Sequence, residues 1–200
     1  MVSSDSPFFN VPQNIIDLSG SLVDFVERAL GIRPDFSMET LSIVDHYALH
    51  ARAEVARRPE ALDLTAQALG AYFGEVVRRN LGAFWVLPSP NYHDWALCGE
   101  TAYLTINPIG VGYDALLGST DHNGPSSQLK LSGQDRAQLV NRLESLPALG
   151  DEEYFTLCTR LEVLEIAMDC IRGQAGARGY DEITYTAEDY GSGVRGLEGL

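Results

Sequence analysis

The chain has 200 residues, 45% of them apolar, and sets 28 acidic against 14 basic side chains for a formal net charge of −14 at pH 7. That length and composition fit one globular domain, or a domain with a tail, and exclude a disordered chain. The acidity argues against nucleic acid as a direct ligand, whose phosphates it would repel. It fits either simple solubility or the steering of a basic protein partner. No apolar run approaches the roughly 18 residues of a membrane span. The opening MVSSDSPFFN has neither a basic region nor an apolar core, so no signal peptide is visible and the expected location is cytoplasmic. Cys98, Cys158 and Cys170 are odd in number and lack metal-like spacing, which predicts reduced thiols.

Residues 1–11 read as a loose leader. A first helix is expected from Pro12 or Ser21 to Leu30, with Ile15, Leu18, Leu22, Phe25 and Val26 on one face; Gly31 closes it and Pro34 prevents continuation. A second helix runs from Met38 to about Arg58, with Ser37 as its N-cap, and Pro59 ends it. The stretch Ala61 to Leu87 organises the rest. Leu62, Leu69, Phe73, Val76 and Val77 recur at helical spacing, while Gly70 and Gly74 lie one turn apart. A glycine inside a helix costs roughly 1 kcal/mol against alanine, so the pair predicts close backbone packing. The short link between the second and third helices predicts a helical hairpin. Leu81-Gly82 supplies a left-handed stop, and Phe84 to Leu87 reads as strand.

The polar and aromatic loop PSPNYHD follows, then strands over Trp95–Cys98 and Ala102–Asn107 joined at Gly99-Glu100. Leu104 and Ile106 alternate with Tyr103 and Thr105, predicting one buried face. Asn107-Pro108 opens a short helix to about Leu117. Residues 119–128 form a loop, and Ser132 to Asp135 resembles a capping box opening a helix to about Leu146. The last helix is expected over Asp151–Arg172, and residues 173–200 read as a glycine-, tyrosine- and acid-rich tail with a short extended segment at Ile183 to Thr186. The order gives an α+β domain over residues 1–172, with helices covering a small three-stranded antiparallel meander.

Three stretches, LSIVDHY at 41–47, LGAYFGE at 69–75, and GAFWV at 82–86 leading to INP at 106–108, together resemble a loose group of bacterial domains of unknown function. In that group an L-G-x-Y-x-G-E helix runs into a G-x-x-W strand. The resemblance covers about residues 37–118. It implies the helix-to-sheet architecture and a bacterial origin, and it carries no activity. Some small acidic bacterial domains of this sort look like immunity proteins, which neutralise a toxin by binding it.

His46 and His50 stand four apart on the second helix, a spacing that lets two imidazoles reach one metal, with Asp45 and Glu54 nearby. Tyr47 stands where a zinc protease would carry its glutamate, and two solvated histidines are the plain alternative. Glu75 precedes Arg78 and Arg79 at ion-pair spacing. His93 and Asp94, adjacent in NYHDW, do not make a catalytic dyad, because neighbouring strand side chains point apart. With Tyr92 and Trp95, and with Asp121, His122 and Asn123 from the later loop, they can form a polar site if the loops meet. No phosphate loop, dinucleotide fingerprint or nucleophile elbow is present. The expected function is therefore a cytoplasmic protein-binding module, an immunity-type inhibitor or scaffold that masks a partner. Its binding residues are Tyr92, His93, Asp94, Trp95, Asp121 and His122. It needs no cofactor, contacts no membrane and takes a protein partner of basic character. The alternative is a metal-dependent hydrolase built on His46 and His50.

Overall fold

The computed structural model describes residues 11–179, 183–191 and 197–199. The chain begins with α1 (Gln13–Leu30), which runs through Gly20 unbroken and ends on Gly31 in the left-handed conformation. Helix α2 (Leu41–Arg57) starts a turn later than its sequence suggests, because Ser37 and Thr40 side chains hold Met38 to Thr40 in a turn. Helix α3 (Leu62–Val77) is the centre of the molecule, buried on every side from Ala68 to Val77. A π-helical turn over Arg78–Gly82 leads to strand β1 (Ala83–Val86).

Strands β2 (Ala96–Gly99) and β3 (Leu104–Ile106) complete the expected meander, and α4 (Pro108–Leu117) follows. Asn107 caps α4 by accepting from the Ile109 and Gly110 amides, as the Asn-Pro pair predicts. The loop over 118–129 then leads to β4 (Lys130–Ser132) and α5 (Gly133–Glu144). After α6 (Asp151–Tyr154) come α7 (Leu157–Ala177), α8 (Ala187–Gly191) and β5 (Leu197–Gly199). The sheet is antiparallel in the order β1-β2-β3-β4-β5, so the three-stranded expectation is corrected: β4 pairs with β3, and β5 pairs with β4 beyond it.

Further corrections have physical causes. The expected α2–α3 hairpin is a minor contact, for α3 packs chiefly on α1 and α4 while α2 packs on α4 and α7. Gly70 and Gly112 explain that choice. A Cβ at Gly70 would collide with Ile109 Cα and Pro108 O, and one at Gly112 with Ala66 O, so α3 and α4 cross in backbone contact. Gly74 lies under the Trp85 ring of β1. The single last helix is broken at Phe155-Thr156 and runs beyond Arg172. Thr156 caps α7, and Asp45 from α2 accepts the Leu157 and Cys158 amides at 2.6 and 3.0 Å.

The sheet is covered on both faces rather than one. Leu97, Leu104, Ile106 and Leu131 belong to the main core with the helices. Phe84 and Cys98 lie on the other face and pack with Tyr190 of α8. Tyr190 brings its hydroxyl to within 2.9 Å of Gly99 O and 3.2 Å of the Leu104 amide, and Tyr185 N–H donates to Glu100 O at 2.7 Å. Part of the stretch that reads as a tail is thus one wall of the sheet. The leader expected over residues 1–11 falls, apart from Val11, outside the described residues.

Candidate functional site

Asp114 is the one charged residue in the apolar helix PIGVGYDALL, and it is 1% exposed. A carboxylate so placed needs partners to offset its desolvation. It has three: His122 Nε2 at 2.8 Å, Ser127 Oγ at 2.5 Å and Arg160 Nη2 at 2.9 Å. Gly110, one turn before Asp114, lets the loop backbone at Pro125 to Ser127 lie directly on α4, which brings Ser127 within reach. Arg160 is delivered by the first turn of α7, whose start Asp45 and Thr156 fix, and its guanidinium also lies 4.4 Å from the centre of the Tyr154 ring. One carboxylate therefore ties α4, the 118–129 loop and α7 together. Beside it opens a cavity of about 390 Å³ lined by Asp114, His122, Ser127, Gln128, Tyr154 and Arg160 among others.

His122 separates this cavity from a second, of about 500 Å³, lined by Leu62, Asp63, Tyr92, Tyr113, His122, Asn123 and Gly124. The rings stand in a row: Tyr92 lies 4.9 Å from His93 and 6.4 Å from Tyr113, and Tyr113 lies 5.3 Å from His122. Tyr113 donates its hydroxyl to Asp63 Oδ1 at 2.7 Å and meets the Tyr92 hydroxyl at 3.3 Å. Burial, reinforced by those two neighbours, pushes the Tyr113 phenol well above its ordinary range, so it stays protonated. Asn107 completes the assembly. While its oxygen caps α4, its amide donates to Tyr92 O at 2.9 Å and His93 O at 3.3 Å, pinning the 88–94 loop to the helix.

Both nitrogens of His122 are engaged. Nδ1 accepts the Gly124 amide at 3.1 Å, so the proton sits on Nε2 and is donated to Asp114. Ser127 donates to Asp114 rather than to a histidine, so no Ser–His relay exists here. The arrangement holds two loops in place.

The two loops singled out in the sequence do meet, through Tyr113. Tyr92 and His122 line one cleft, and His93, Asp94 and Asp121 are exposed, with the His93 ring stacked on Tyr92. Asp94 is tied back to Ser89 at 2.7 Å. Trp95 is placed differently: it is buried in the core with its indole N–H on Ser89 O at 3.0 Å, so it anchors the loop from below. A scan against protein-family models matches none, and searches of curated proteins and of solved structures return no significant match.

His46 and His50 lie on an exposed flank of α2 with rings 4.3 Å apart, and His50 Nδ1 is 2.8 Å from His46 O. Among the described residues no three His, Cys, Asp or Glu side chains gather as metal ligands there or elsewhere, and the nearby Asp45 is spent on capping α7. Glu75, 2% exposed, accepts from Arg78, Arg79 and the Trp85 indole, an ion-pair role as its spacing suggests. Sequence reasoning missed Asp63, Tyr113, Asp114, Ser127 and Arg160. Asp114 had a legible signal, a lone acid in an apolar helix between two glycines and a glycine stop. Arg160 and Ser127 had none, because only the fold brings them to it.

Proposed function

We propose that this chain is a cytoplasmic protein-binding module that masks or scaffolds a basic partner, as an immunity-type inhibitor does. The partner docks where the 88–94 and 119–128 loops meet. The observation that carries the reading is that Tyr92 from one loop and His122 from the other line one cleft, with the exposed His93 ring stacked on Tyr92 at 4.9 Å. Asn107 and Asp114 hold those loops from beneath, so little ordering entropy remains to be lost on docking. Aromatic side chains supply contact area at low entropic cost, and exposed carboxylates on a chain of net charge −14 steer a basic surface toward them.

The test uses the double variant Tyr92→Ala/Asp94→Ala. It is expected to keep the circular dichroism and cooperative melting of the parent while binding a partner purified from cells at least tenfold more weakly, on the scale of one interface hot spot. Association should slow as salt rises, since exposed charges are screened beyond about 8 Å at physiological ionic strength. A folded double variant that retains the partner at full strength moves the interface away from this face.

A further inference from the structure

The larger cleft carries a more specific reading, which rests on the docking face just proposed. Its lining includes the aromatic Tyr92 and Tyr113 and the apolar Leu62. Asp63, in the first turn of α3, stands at its exposed edge. Oδ1 of Asp63 accepts the Tyr113 hydroxyl, whereas no described residue donates to Oδ2. Both ring nitrogens of His122 are engaged by Asp114 and Gly124, and Asp63 is the one carboxylate in the lining. Arg160 lines the other cavity and is bound to Asp114.

A space with tyrosine rings on its walls and one open carboxylate oxygen at its edge is complementary to a cation on an apolar stem. The tyrosine rings and Leu62 offer apolar surface to the stem, and the carboxylate completes an ion pair with its charged head. A simple anion is disfavoured by the Asp63 charge, and an uncharged apolar group would gain nothing from Oδ2. We infer that this cleft receives a single basic side chain of the partner, arginine or lysine, paired with Asp63 and packed against Tyr92 and Tyr113.

The test is a titration of the intact protein, followed by NMR at Gly124 and the tyrosine rings, with three probes: N-acetyl-arginine amide, N-acetyl-lysine amide and the uncharged N-acetyl-citrulline amide. Saturable shifts with either or both cationic probes, and binding at least about tenfold weaker for citrulline, are expected for a charge-assisted pair. Asp63→Asn keeps an acceptor for Tyr113, so the fold persists, and it should weaken the cationic probes by a similar factor. Citrulline binding as well as arginine, an Asp63→Asn variant that binds unchanged, or no shift with any probe at tens of millimolar would each overturn the inference. The two readings fail separately. If the probes do not bind but Tyr92→Ala/Asp94→Ala still loses its partner, the docking face stands without a cation pocket. If the probes bind and the double variant keeps its partner, the pocket stands and the docking face is elsewhere.

Discussion

Replacing Gly70 or Gly112 by alanine sets helix propensity against space. Alanine is favoured within a helix by roughly 1 kcal/mol, yet each new methyl would meet backbone atoms of the opposing helix, which cannot rotate away. Overpacking costs about 1–3 kcal/mol, so both variants should lose stability on balance, measured as a lower denaturation midpoint. An unchanged midpoint would mean that α3 and α4 separate at little cost. Asp114→Ala should cost on the order of 3 kcal/mol, because it strands Arg160 in a largely buried place together with the His122 and Ser127 donors. Asp45 links this scale to pH. Burial raises its carboxyl above the ordinary value of 3.8, although bonds from Cys158 and Leu157 oppose that. The folded state thus holds the proton more tightly than the unfolded one. Asp45's proton-linked stability is complete below the unfolded value and is lost as pH rises through the raised one. Urea midpoints of the parent minus those of Asp45→Asn should therefore fall with rising pH across the weakly acidic range, and a flat difference would remove Asp45 from the linkage. Of these residues the sequence made Gly70 and Gly74 legible, since two costly glycines at one-turn spacing demand a reason. Gly112 and Asp45 act on elements far along the chain, and local pattern cannot show that.

Element by element, the sequence is most readable where side-chain period and caps agree. Helices α1, α3 and α4 and the β1–β3 meander carry apolar period, an Asn-Pro start or glycine stops. It is least readable where a distant side chain decides. Asp45 reaches across 113 residues to Cys158, so the break before α7 has no nearby cause beyond Thr156. Strand β4 spans three residues, too few for alternation to be seen, and exists because β3 offers it an edge. The α8 segment is hidden by its composition, yet Tyr190 closes the outer face over Phe84 and Cys98. Tyr190→Phe should cost about 1–3 kcal/mol, the range for removing one partner of a buried hydrogen bond such as that from its hydroxyl to Gly99 O. A chain ending at Gly179 uncovers that face. Cys98 is 1% exposed, and burial pushes its thiol up to about 12, so the intact protein should resist alkylation there at neutral pH. The shortened chain should be alkylated at Cys98 and tend to aggregate. Protection equal to the parent's would show that α8 is dispensable as a cover.

At the scale of the molecule, the α+β class follows from the order of elements, and the site does not. Helices, then hairpin strands, then helices leave few architectures, whereas the cleft depends on how tightly two glycine-bearing helices cross. The three cysteines are free thiols, so the melting temperature should be the same with and without reductant. A reductant-dependent shift would reveal a bridge. The closing of the outer sheet face also has a timetable. Tyr190 lies 91 residues after Gly99, the backbone group its hydroxyl bonds. At 5–20 residues per second, a ribosome needs about 5–20 s to make the intervening chain. Throughout that interval the emerging hairpin carries Phe84, Val86 and Cys98 without the tyrosine that will shield them. A nascent protein paused before residue 190 is thus a natural client for chaperones that grip apolar strands, and it sheds that need only when the last wall arrives.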